Sequence, residues 1–129
     1  MYKFHKNGSL PQNNEIFVFG SNLKGLHGAG AARQALVYGA KYGVGIGMYG
    51  QTYAIPTKDE FLKILSLDII KTYIEEFKQF TKDHTEMNFF VTAVGTGLSR
   101  YSHQDIATLF KECGENCSFP VEWQTFLEN

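Results

Sequence analysis

The chain has 129 residues, 43% of them hydrophobic and 19% charged, with a formal net charge of −1 at pH 7. That balance fits one globular domain over residues 1–129 and excludes a disordered chain. Without a basic block, nucleic acid is not expected as a partner, and no segment has the apolar length of a membrane span.

The N-terminal MYKFHKNGSLPQNN lacks an apolar h-region and does not read as a signal peptide. Residues 15 to 20, EIFVFG, form the first expected strand: apolar, β-prone and stopped by Gly20. A loop over 21 to 27 leads into an expected helix over 28 to 41, whose small face of Ala32, Ala35, Leu36, Gly39 and Ala40 suits close packing on a sheet. Four glycines fall within 43 to 50. A strand is expected at 51 to 55, ended by Pro56, and one or two helical turns at 59 to 65.

Ser66 caps the longest expected helix, LDIIKTYIEEFKQFTKDH. There Ile69, Ile70, Tyr73, Ile74, Phe77 and Phe80 recur at helical spacing. NFFVTAVG, 88 to 95, is the next strand, and GTGLSRY a loop. Ser102 with Asp105 resembles a capping box ahead of IATLFKEC. The tail SFPVEWQTFLEN holds a last strand or a docked irregular segment. Helices and strands alternate, which is the α/β pattern: a mixed, mainly parallel sheet flanked by helices. Cys113 and Cys117 are the only cysteines, too few for a zinc site. They are either buried thiols or a local bridge under oxidation, and a cytoplasmic protein with reduced thiols is the expectation.

Two strand–loop–helix junctions carry the functional signal, VFGSN…HGAGAA and VTAVGTGLSRYSHQD. In each, glycines follow a buried strand and precede a helix, the edge at which open α/β sheets bind ligands. Glycine lets backbone approach a ligand, and free N–H groups can cradle phosphate. Either junction alone reads as a tight turn; the two together favour a ligand. GIGMYG, Gly45 to Gly50, spells GxGxxG, but a helix precedes it and a strand follows, the reverse of a dinucleotide fingerprint. Asn22 offers an amide to a ligand, against its commoner use in stabilising a turn. His27 is the one acid–base candidate beside the glycines, against an ordinary loop histidine. Arg100 suits a phosphate and Tyr101 a sugar, against plain solvent exposure. His103 opens the last helix, facing the ligand edge or solvent.

In their order and separation, GSN, HGAGAA and VTAVGTGLSRYS resemble the motifs of the macro domain, the three-layer α/β fold that binds ADP-ribose. The resemblance covers residues 15 to about 112. It implies that Gly20, Ser21 and Asn22 end the first strand at the ligand, with Asn22 on the distal ribose. It implies a first phosphate loop of Gly28, Ala29, Gly30 and Ala31, and a second of Gly95, Thr96, Gly97, Leu98 and Ser99. Arg100 would lie beside the phosphates and Tyr101 near the distal sugar.

The chain departs from the family in three places. No early strand ending in an acidic residue is apparent before Glu15, so the adenine contact of the family has no counterpart. The first loop has no aspartate, so hydrolysis by the Asp route is not implied. His27 and Arg100 stand where glycine is usual. The expected function is binding of ADP-ribose or a related nucleotide, free or on an ADP-ribosylated protein, with no cofactor. As an enzyme it would be an ADP-ribosyl hydrolase or a phosphatase acting on an ADP-ribose derivative, with Asn22 and His27 as catalytic groups. The alternative is a protein-interaction module that keeps the fold without the nucleotide.

Overall fold

The computed structural model describes residues 2 to 128. Six strands form one sheet: β1 (Lys3–His5), β2 (Glu15–Asn22), β3 (Gly47–Tyr49), β4 (Thr52–Lys58), β5 (Asn88–Val91) and β6 (Cys117–Pro120). Their order across the sheet is β1-β6-β5-β2-β4-β3. Every pairing is parallel except the antiparallel β3–β4 edge.

β2 lies near the middle of the sheet, and its alternation explains its continuous apolar sequence. Ile16 and Val18 enter a large core with Tyr53, Ile55, Phe89 and Val91. Phe17 and Phe19 face the other way, into a small core with Ala54 and Phe90. A strand buried on both faces needs no polar side.

Helices cover both faces unequally. α2 (Leu67–Asp83) sits over the large core, together with α3 (His103–Ala107) and α4 (Gln124–Leu127). α2 starts at Ser66, whose Oγ accepts from the Ile69 N–H at 3.4 Å. It buries Ile70, Ile74 and Phe77 completely, each worth about 2 kcal/mol of apolar transfer. Ile69, at the edge of the expected apolar stripe, is half-exposed instead. On the opposite face α1 is six residues long (Gly30–Ala35), rests Ala32 and Ala35 on the sheet, and passes into a 3-10 turn, Leu36–Tyr38. The expected helix over 28 to 41 is therefore cut short, because Gly39 adopts a left-handed φ of 103° that ends the turn.

Other expectations also shift. β4 runs through Pro56 to Lys58. The Phe17 N–H donates to the Gln51 carbonyl at 2.9 Å, so odd-numbered residues of β4 face β2. Pro56 thus turns its nitrogen toward the β3 side, where β3 has already ended opposite Ala54 and no ladder bond is lost. Residues 59 to 65 make no helical turn. The Asp59 carboxylate accepts from the Phe61 and Lys63 N–H groups at 2.8 and 2.9 Å, a local competitor of the helix. β5 stops at Val91 rather than 95: the Thr92 N–H makes the last ladder bond, to the Val18 carbonyl at 3.0 Å, and the chain then turns, the Val94 N–H donating to the Thr92 carbonyl at 2.7 Å and the Thr96 N–H to the Ala93 carbonyl at 3.2 Å. None of the described helices is long and apolar enough to cross a membrane.

Candidate functional site

The C-terminal ends of β2, β4 and β5 meet where the two glycine junctions lie. A Cβ placed on Gly20 would sit 3.5 Å from the Gly95 nitrogen, so the end of β2 touches the second loop directly. Three buried hydroxyl residues tie these ends together. Ser99 Oγ donates to Thr57 Oγ1 at 2.9 Å, and Thr57 Oγ1 to the Ser21 carbonyl at 3.3 Å. Ser21 Oγ donates to the Gly45 carbonyl at 2.5 Å. The second loop is thus anchored to β4 and β2 through side chains rather than through the sheet ladder.

The glycines divide by what surrounds them. A Cβ on Gly25 would run into the Gly43 backbone, and one on Gly45 into the Asn22 carbonyl. The loop of 43 to 50 therefore lies pressed onto the first junction, and the GIGMYG pattern is a packing device. Gly95 has a φ of 76°, with Ile106 3.0 Å from a would-be Cβ. Gly28 and Gly97 differ from all of these. Neither has a left-handed φ, and a Cβ on either would meet no atom within 4 Å. Nothing in the protein's own packing or backbone requires glycine at these two positions, one in each loop.

Beside the loops, on the α1 side, is a cleft of about 250 Å³ lined by Ala31 and Gln34 of α1, Thr92 and Ala93 after β5, and His5 and Pro120 at the ends of β1 and β6, among others. Ala31 belongs to the first glycine loop, and Ala93 lies two residues before Gly95. Of the two loops themselves, Ala31 alone lines this cleft; Gly28–Gly30 and Gly95–Ser99 lie outside its lining.

The individual candidates are placed as follows. The Asn22 amide is used within its own loop: Nδ2 donates to the Leu26 carbonyl at 2.8 Å, and Oδ1 accepts from the Leu26 N–H at 3.0 Å. This is the turn-stabilising use. His27 is fully buried, edge-on to Phe19 with Tyr42 alongside. Its Nε2 donates to the Lys41 carbonyl at 2.8 Å, while Nδ1 has no partner. Neither residue lines the cleft. Gly28, Ala29 and Gly30 are exposed, and Gly30 adopts a φ of 58°. Because α1 is so short, the first loop can offer an anion only local N–H groups and little helix dipole.

In the second loop, Thr96 Oγ1 donates to the Ala93 carbonyl at 2.8 Å, and Leu98 is 66% exposed. Ser99 is buried; Arg100 is exposed, with a φ of 64°. Tyr101 donates through its hydroxyl to the Leu65 carbonyl at 2.5 Å, which commits its polar tip to the protein. His103 accepts from Trp123 Nε1 at 2.9 Å and is structural.

Sequence reading missed two groups. Thr57 is the hub of the hydroxyl chain. His5 lies on a three-residue strand too short to show a pattern. It stacks on Phe90 with ring centroids 3.8 Å apart, and its Nδ1 lies 2.7 Å from Ser118 Oγ. Burial pushes its imidazole below the ordinary histidine value, against opposing contributions from Glu122 and a backbone hydrogen bond at Val91. The cysteines are free and buried with their sulfurs 3.3 Å apart. The Cys117 thiol hydrogen-bonds to Cys113, which lowers the Cys113 pKa and raises its own. Comparison with protein-family models, curated proteins and solved structures finds no match for this chain.

Proposed function

We propose that the protein is a macro-like domain that binds ADP-ribose or a related nucleotide, its diphosphate held by backbone N–H groups of the Gly28–Ala31 and Gly95–Ser99 loops. The observation that carries this reading is the pair Gly28 and Gly97. Glycine stands at both although neither φ nor packing asks for it, and a missing side chain there leaves the backbone open to close approach by a ligand. Their position at the C-terminal ends of adjacent parallel strands, β2 and β5, is where such sheets bind ligands. The cleft next to them gives the rest of the nucleotide a place to lie.

Binding is favoured over hydrolysis. The loops contain no carboxylate, the Asn22 amide is spent on Leu26, and His27 is enclosed with its Nε2 on a carbonyl. None of these is positioned to move a proton on a ligand in the cleft. Calorimetric titration with ADP-ribose and with AMP tests the reading. ADP-ribose should bind tightly, and AMP, which lacks the second phosphate and the distal ribose, far more weakly. Equal affinities for the two, or no binding of either, would reject it.

A further inference from the structure

The cysteine pair lies outside the loops and the cleft, and the nucleotide reading makes no use of it. Cys113 follows the 3-10 turn Thr108–Phe110, and Cys117 opens β6. Both thiols are free, and their sulfurs stand 3.3 Å apart. A disulfide places its sulfurs about 2.05 Å apart, so the pair is about 1 Å short of a bond.

The segment between them is clamped to the end of α2. The Asn116 Nδ2 donates to the Thr81, His84 and Met87 carbonyls at 3.0, 3.1 and 3.0 Å. The Gly114 N–H donates to Thr81 Oγ1 at 3.1 Å. A Cβ on Gly114 would strike Asn116 Oδ1 and lie 2.9 Å from the Thr81 hydroxyl. Glu112, just before the pair, takes a left-handed φ of 66°, a costly conformation for a bulky residue. The Cys113 side chain is turned inward there, its Sγ 3.6 Å from Thr81 Oγ1.

A cysteine in an apolar core is ordinarily an inert small hydrophobe. These two differ from that and from each other. Cys117 is fully enclosed, whereas Cys113 keeps 7% exposure on a bend whose neighbours Lys111, Glu112 and Glu115 face solvent. Hydrogen bonds from Cys117, from Thr81 and from the backbone at Gly114 favour the Cys113 thiolate, against its burial. Lys78 adds positive charge; its Nζ donates to the Leu109 carbonyl at 3.1 Å and to Glu75 at 3.2 Å. The same hydrogen bond and burial hold Cys117 as the thiol. One sulfur is thus disposed to attack and the other to follow.

We propose that Cys113 and Cys117 are a reversible redox pair, in which a hydroperoxide oxidises Cys113 and Cys117 then closes the disulfide. The Cys113 thiolate attacks the peroxide, an S–O bond forming as the O–O bond breaks. The leaving oxygen takes a proton and departs as alcohol or water, and Cys113 is left as a sulfenic acid. The Cys117 sulfur attacks the Cys113 sulfur, the S–S bond forms, and the S–O bond breaks. Hydroxide leaves with the Cys117 proton as water. Two electrons pass from the sulfurs to the peroxide, and a dithiol reductant returns them. The pair stands independently of nucleotide binding.

The test treats the full chain with hydrogen peroxide, alkylates the remaining thiols with N-ethylmaleimide in denaturant, and maps the peptides by mass spectrometry. The wild type should lose both alkylatable thiols together. It should gain an intrachain Cys113–Cys117 link, lighter by two hydrogens and reversed by dithiothreitol. In Cys117→Ser, dimedone should capture the sulfenic acid on Cys113. In Cys113→Ser, Cys117 should oxidise at least about tenfold more slowly than Cys113 does in the wild type. Thiols that persist in the wild type, a link between chains, or equally fast oxidation of Cys117 in Cys113→Ser would overturn the proposal. The wild-type arm decides the disulfide whether or not either variant folds.

Discussion

Two groups of glycines lie in the loops around the C-terminal ends of the strands and do opposite jobs. Gly25 and Gly45 are places where the protein touches itself, with another loop's backbone where a side chain would be. Gly28 and Gly97 face open space. In the sequence the two groups look alike, and GIGMYG is the tidier motif. A glycine motif therefore points to a ligand only once self-packing has been subtracted.

The comparison is easiest to break at its packed end. Gly45→Ala drives a methyl group into the Asn22 carbonyl, where backbone rather than a flexible side chain must yield. It should cost about 3 kcal/mol, read as a fall in the denaturant midpoint. A variant as stable as wild type would show that the 43–50 loop is not clamped onto the first junction.

This division is also where sequence reading reached its limit. β2 was legible as a continuous β-prone apolar run stopped by Gly20, and α2 as a 3.6-residue apolar stripe, each extending over enough residues to be read. β1 and β3 were not: KFH and GMY are three residues long, and their strand state comes from β6 and β4. Without β1, neither His5 nor the cleft it lines could be foreseen. The glycine junctions were visible as motifs. Which glycines meet protein and which meet solvent is a tertiary fact, as is the burial of His27, which looks like a loop residue until Phe19 and Tyr42 are found packed around it.

A smaller effect sharpens the link between the loops. Ser99→Ala removes the donor to Thr57 Oγ1 within a buried chain, and should cost about 1–2 kcal/mol. Because Ser99 anchors the second loop, the same variant should also weaken ADP-ribose binding. Loss of stability with unchanged affinity would mean that the anchor does not position the loop.

The smallest effect is on pH dependence. The His5 pKa is lowered in the fold, so below the ordinary value of 6.5 the unfolded chain binds more protons than the native one. Stability should then rise with pH as it approaches 6.5 from below, and fall on acidification through the depressed native pKa. His5→Phe, which keeps a ring on Phe90, should flatten that part of the stability–pH curve. An unchanged slope in chemical denaturation at several pH values would assign the dependence to other groups.

The most direct measurement is the affinity of Gly28→Ala and Gly97→Ala for ADP-ribose, taken together with their melting temperatures. If the two open glycines exist for a ligand, both variants should melt within about 2 °C of wild type and lose about tenfold or more in affinity. Unchanged affinity in both, with the fold intact, would contradict the assignment of these loops as the diphosphate site.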